Sequence, residues 1–282
     1  MTNVPWCTVL PDIYGDQINR LPVKRVEEIR MRVGQPLVLR TDEDEIQIWP
    51  QVNSKDLEEV LQRATRFSVH SCAESLREGY VTIEGGHRIG VCGTGFIREG
   101  HLQSLRLVTS VCIRIANQIS GCAENIYSSI KGSVLIIGPP GRGKTTLLRD
   151  LVAHLSDKAC QRVGLVDERG EIAACVEGIP QLWVGRRTDI LSNVRKDNGI
   201  MMLLRTMNPQ WIAVDEITAE HDILAMEQAA YCGVNLMATA HGNNPRNLTK
   251  RPLYKKLLES GVFSQIAVIQ SDRTCRVEEI DL

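Results

Sequence analysis

Val134-Leu135-Ile136-Ile137-Gly138-Pro139-Pro140-Gly141-Arg142-Gly143-Lys144-Thr145-Thr146 runs from four apolar residues into a turn rich in glycine and proline. Beyond it, Leu147, Leu148, Leu151, Val152 and Leu155 recur at the spacing of one helical face. Strand, glycine-rich turn and helix in that order make a phosphate-binding loop. The backbone N–H groups of the turn converge at a helix N-terminus, where the dipole favours an anion. Gly138, Pro139, Pro140, Gly141, Arg142, Gly143, Lys144, Thr145 and Thr146 are therefore expected to cradle ATP. Lys144 reaches the outer phosphates, and the Thr145 hydroxyl is placed to ligate Mg²⁺.

Downstream, strand-like and helix-like segments alternate as a parallel sheet requires. Strands are expected at residues 162–166, 211–214 and 234–238, helices at 199–207 and 222–232, and a closing strand pair at 262–270 and 274–280. The run Trp211-Ile212-Ala213-Val214-Asp215-Glu216 puts two carboxylates at the carboxyl end of a strand, where ligands of such sheets bind. Asp215 is expected to hold Mg²⁺ through water, and Glu216 to orient and deprotonate the attacking water. Thr239-Ala240-His241-Gly242-Asn243 closes the next strand, so His241 either touches the γ-phosphate or its lytic water, or caps the loop locally. Asp167-Glu168-Arg169-Gly170-Glu171 follows the second strand. Its acids, Glu168 among them, either polarise water or form an ion-pair cluster.

Composition narrows the class. A chain of 282 residues accommodates two domains, and 43% hydrophobic with 24% charged residues is ordinary for a folded protein. No apolar run approaches the roughly 18 residues of a bilayer span, and the N-terminus lacks a secretory signal, which leads to the expectation of a cytoplasmic protein. The nine cysteines include no Cys-x-x-Cys pair and read as small buried hydrophobes in a reducing compartment. Residues 1–130 carry 14 basic and 16 acidic side chains, leaving 19 and 18 for the remainder, so neither half is a polyelectrolyte. That balance, with only 4% aromatic residues to stack on bases, argues against nucleic acid as a partner. The local exception is Arg246, Lys250, Arg251, Lys255 and Lys256, which read as a solvated helix face or a polyanion contact.

The first half mixes helix and strand. Residues 55–66 set Leu57, Val60, Leu61 and Ala64 on one helical face, with Ser54 as the expected cap. Tyr80 to Glu84 and His87 to Val91 flank Gly85-Gly86, the pattern of a hairpin closed by a two-residue type I′ turn. A further turn is expected at Glu99-Gly100 and a strand near Val111 to Ile115. Ser120-Gly121 marks the expected boundary between an N-terminal α+β domain, residues 1–120, and a P-loop domain, residues 121–282.

The order of P-loop, acidic box, Asp-Glu strand end and Thr-x-His-x-Asn resembles the ATPases that power type II and type IV secretion and pilus assembly. Glu28-Ile29-Arg30-Met31-Arg32-Val33-Gly34-Gln35-Pro36-Leu37 and Gly85-Gly86-His87-Arg88-Ile89-Gly90-Val91-Cys92-Gly93 resemble the branch that serves endospore formation. The resemblance implies a RecA-like P-loop domain in a motor ATPase of the mother-cell cytoplasm. It further implies a homo-oligomeric ring, a hexamer, acting with integral-membrane components of a secretion-like channel. Lys144, Thr145, Asp215, Glu216 and His241 fall on nucleotide-site positions of that superfamily. The chain departs from it in carrying Asp215-Glu216 for Gly-Glu, Thr218-Ala219 for Arg-Asp and Asp167-Glu168-Arg169 for acid-Pro-acid, and it lacks the tetracysteine module. A ring further suggests that Arg186 or Arg187 acts as an arginine finger in a neighbour's site, against the plainer reading of a solvated surface pair. Two other classes fit a P-loop protein: a nucleic-acid-handling ATPase, and a nucleotide-switched scaffold with little turnover.

Overall fold

The computed structural model describes residues 5–22, 25–66, 79–98, 101–242, 244–270 and 272–280. The chain divides into two units, Met1–Asn117 and Gln118–Leu282, so the boundary falls just before the expected Ser120-Gly121.

The N-terminal unit is built on a six-stranded sheet in the order β3-β2-β1-β6-β5-β4. Its strands are β1 (Val26–Arg32), β2 (Pro36–Thr41), β3 (Glu45–Gln51), β4 (Tyr80–Thr82), β5 (Arg88–Arg98) and β6 (His101–Arg114), every pair antiparallel. Period-two alternation gives the sheet one dry face: Ile29 and Met31 of β1 are buried, while Glu28, Arg30 and Arg32 lie on the other face. Leu57 and Val60 of the helix Ser54–Ala64 join the same core as Leu37, Leu39, Ile89 and Ile113. The cap of that helix is Asn53 rather than Ser54. Asn53 Oδ1 accepts the Lys55 and Asp56 amides, and the Asp56 carboxylate accepts the Asn53 amide at 2.8 Å, a reciprocal box that Ser54, three residues before Leu57, cannot form.

The hairpin exists, but its connection is longer than expected. Thr82 pairs with Arg88, and a short 3₁₀ turn over Glu84–Gly86 replaces the two-residue turn, with φ of +82° at Gly85 and +77° at Gly86. The reason is His87, which is 6% exposed and turned inward, its Nδ1 accepting the Ala116 amide at 3.0 Å. The expected turn at Glu99-Gly100 lies outside the described residues.

Burial pulls the His87 imidazole down to about 4 from an ordinary 6.5. A group harder to protonate when folded costs stability as pH falls. The loss begins as the unfolded imidazole charges near 6.5, and ends only when the folded one charges near 4. The unit should therefore lose roughly 2–3 kcal/mol between neutral pH and about pH 4.5 through this one side chain. His87→Gln, which cannot charge, should flatten the pH dependence of the thermal midpoint; a dependence unchanged by that substitution would contradict the assignment.

The C-terminal unit carries a seven-stranded sheet ordered β13-β12-β7-β11-β10-β8-β9. Its strands are β7 (Val134–Gly138), β8 (Val163–Asp167), β9 (Thr188–Ser192), β10 (Trp211–Val214), β11 (Asn235–His241), β12 (Gln265–Ile269) and β13 (Cys275–Glu279). All pairs are parallel except β12 with β13, the expected antiparallel edge. Both faces are covered, which is why β7, β8 and β10 read as unbroken apolar runs. Val134 and Ile136 face the P-loop helix Lys144–Asp157, whereas Leu135 and Ile137 join the core under the helices Lys196–Thr206, Glu220–Tyr231 and Pro252–Glu259. The helix Lys196–Thr206 begins three residues before expectation and lies close on β8: a Cβ on Gly199 would stand 2.5 Å from the Val166 side chain.

Candidate functional site

The carboxyl ends of β7, β8, β10 and β11 converge, and β11 lies between the P-loop strand β7 and the acidic strand β10. That order decides the geometry, because the last residue of β11 is His241, in register with Gly138. His241 Nδ1 is 2.9 Å from Lys144 Nζ, and its Nε2 is 2.8 Å from Glu216 Oε1. One neutral tautomer satisfies both contacts, with Nδ1 accepting from the lysine and Nε2–H donating to the carboxylate. Lys144 also donates to the Pro139 carbonyl at 3.1 Å and is only 7% exposed. Burial lowers its pKa, and the charges of Glu216 and Asp215 oppose that shift.

A second chain of contacts runs through Asp215. Its Oδ2 accepts the Thr145 hydroxyl at 3.1 Å, and its Oδ1 accepts the Thr239 hydroxyl at 2.6 Å. Thr239 also accepts the Glu216 amide at 2.9 Å, so one buried threonine fixes both acids of the pair. The loop around Lys144 suits a phosphate chain. Gly141 and Gly143 sit at φ of +71° and +90°, with open space where a Cβ would project, and Pro140 and Arg142 are exposed beside them. Thr145 and Thr146 stand in the first turn of the helix that follows. The oxygens of Thr145 and Asp215 are the hard donors that Mg²⁺ takes.

The acidic box splits into two roles. Asp167, 1% exposed, accepts the amides of Glu171, Ile172, Ala173 and Ala174 and so holds a loop. Glu168 instead faces the cleft lined by Asp215 and Glu216, where it is ion-paired with Lys196. Arg169 completes the cleft at 3.6 Å from Glu216. Arg169 was read only as part of the box, and Lys196 escaped the sequence reading. A lysine in the first turn of a helix opposes the helix dipole, and that misfit was the available signal.

Arg186 and Arg187 are not brought to this site within their own chain. They precede Thr188, which pairs with Val163 at the amino ends of β9 and β8, whereas the site occupies the carboxyl ends. The Arg186 amide donates to Asp157 Oδ1 at 2.8 Å, and the Arg187 amide to Ser156 Oγ at 2.6 Å. Trp183 Nε1 donates to Asp157 Oδ2 at 2.9 Å, so the turn is fastened to the far end of the P-loop helix. Asn243, the last member of the histidine motif, lies outside the described residues.

A seven-stranded sheet with the acidic strand one place removed from the P-loop strand, and a histidine on the strand between, defines a RecA-like P-loop fold. The profile of the family described as sporulation stage III, protein AA, matches residues 15–280, and the chain belongs to that family. Stage III sporulation protein AA of Bacillus subtilis (strain 168) is 38% identical over 269 residues, 91% of this chain and 87% of that protein. Among solved structures, the pilus retraction motor PilT with bound ADP aligns with a TM-score of 0.63 at 15% identity, covering 91% of this chain and 80% of PilT. The ATPase DotB of Legionella pneumophila aligns at 0.58 and 15% identity, covering 89% and 75%. At that identity these two likenesses establish the fold.

Proposed function

We propose that this chain is a Mg-ATP-hydrolysing motor ATPase that energises a secretion-like channel during endospore formation. The observation that carries the reading is the unbroken contact from Lys144 through His241 to Glu216. It joins the group that holds outer phosphates to the group that activates water. Lys144 neutralises the β- and γ-phosphates; Glu216 takes the proton of a water whose oxygen bonds to the γ-phosphorus as the bond to the ADP oxygen breaks. His241, in contact with Glu216 through Nε2, keeps that carboxylate turned toward the phosphates. Thr145 and Asp215 are the residues that would hold Mg²⁺, which when bound offsets phosphate charge. Glu168 serves as a second polar wall of the cleft. PilT, described as a retraction motor with ADP bound, and DotB, described as an ATPase, support the activity. The Bacillus subtilis relative supports the sporulation setting.

Among the described residues no helix is long and apolar enough to cross a membrane. In this reading the protein works in the mother-cell cytoplasm and reaches the membrane through integral-membrane channel partners. It assembles as a hexameric ring. Because Arg186 and Arg187 sit at the sheet edge opposite their own site, a finger role requires a subunit boundary. Arg186 is the better placed, since the Arg187 guanidinium already donates to the Cys160 carbonyl at 3.2 Å. Specific ATPase activity should accordingly rise with protein concentration. Mixing Arg186→Ala/Arg187→Ala protein with Glu216→Gln protein should restore activity at shared sites, where a finger contributes about 10³-fold. A strict monomer with a concentration-independent rate would overturn the ring.

A further inference from the structure

Lys250 and Arg251, part of the basic stretch read from the sequence, stand beside the P-loop. They share with Pro139, Pro140, His241 and Gly242 the wall of a cavity of about 550 Å³. Arg251 Nη1 donates to the His241 carbonyl at 3.1 Å, and the guanidinium lies 5.8 Å from the ring centre of Tyr254. Tyr254 in turn donates its hydroxyl to the carbonyl of Ile217, the residue after Glu216, at 3.3 Å. The pair is thus fastened to the two strand ends that carry His241 and Glu216. Their basic neighbours are neutralised: Lys255 faces Glu259 at 3.7 Å and Lys256 faces Glu220 at 2.8 Å. Among the described residues neither Lys250 nor Arg251 has a carboxylate partner. Two exposed, uncompensated cations on a wall shared with the phosphate loop call for an anion there. A guanidinium has five N–H donors in a planar fork that matches phosphate, and the His241 carbonyl takes one of them.

We infer that Arg251, with Lys250 beside it, binds the terminal phosphate of the nucleoside triphosphate, so that the pair distinguishes triphosphate from diphosphate. The inference rests on the nucleotide reading above and adds the residues that count phosphates. Loss of the terminal phosphate leaves the Arg251 contact with the His241 carbonyl intact and removes the other, so the change in occupancy is delivered to the end of β11.

The test is calorimetric titration of the whole protein with Mg-ADP and with the non-hydrolysable triphosphate Mg-AMP-PNP. Arg251→Gln should weaken AMP-PNP binding by roughly 10- to 100-fold, the range of a charge-assisted hydrogen bond, and change ADP binding by less than about threefold. Lys250→Gln should shift the ratio in the same direction by a smaller factor. If Arg251→Gln does not fold, Lys250→Gln and Arg251→Lys, which keeps the charge but loses the fork, carry the same comparison. Equal weakening of both ligands, no weakening of either, or a loss confined to single-stranded oligonucleotide binding would overturn the assignment. A wild-type protein that binds neither nucleotide would remove the nucleotide reading and this inference with it.

Discussion

Glu216→Gln protein is expected to bind Mg-ATP with near wild-type affinity and to hydrolyse it at about a hundredth of the wild-type rate or less. The amide oxygen of the glutamine still accepts from His241 Nε2, so the contact now at 2.8 Å, and with it the link to Lys144, survives the change. Only the basic group is lost, which is why kcat should fall while KM stays. The Arg169 contact, now 3.6 Å, weakens as the charge is removed, a small effect for a side chain that is mostly exposed. Phosphate-release rates and a nucleotide titration on the same preparation check both halves. A residual rate above about a tenth of wild type would move the base elsewhere. Glu168 is the first alternative, although its pairing with the buried Lys196 ties up the carboxylate.

Lys144→Ala should fail at the earlier step. The ammonium is the buried cation of the loop, and its removal should weaken Mg-ATP binding by roughly 10- to 100-fold and abolish measurable turnover. The fold should survive, because burying Lys144 already costs desolvation, as its lowered pKa records. What the substitution leaves behind is the Pro139 carbonyl and His241 Nδ1, both next to the open side of the loop. A folded Lys144→Ala protein with unchanged turnover would remove the P-loop assignment.

The strand ends were legible for a physical reason. A parallel strand buried on both faces is largely apolar, so the polar residues that break the run, Asp215 after Val214 or Thr239 and His241 beyond Ala238, mark the rim where ligands gather. The strand β9 was not legible, because Thr188–Ser192 is a half-buried edge with polar residues on both faces. Lys196 was hidden because its partner lies 28 residues away, and only the close seating of Gly199 on Val166 brings the helix start down to Glu168. The strands β1 to β3 carry charged residues on their open face and a register shift between Val26 and Glu28, which blurs the alternation a single strand would show. The cap at Asn53 was readable in principle: an acid stands three residues after Asn53, and a leucine three after Ser54.

The turn at Trp183 to Arg187 presses hard on the last turn of the P-loop helix. Gly185, at φ of +92°, leaves no room for a side chain, since a Cβ there would stand 2.4 Å from that of Ser156. An α-helix is stiff along its axis, and this one, with 14 residues, is about 21 Å long. It therefore acts as a push-rod. An axial slip at Lys144 would reappear at its far end, where Ser156 and Asp157 hold the Arg186 and Arg187 amides by two hydrogen bonds and the Trp183 indole by a third.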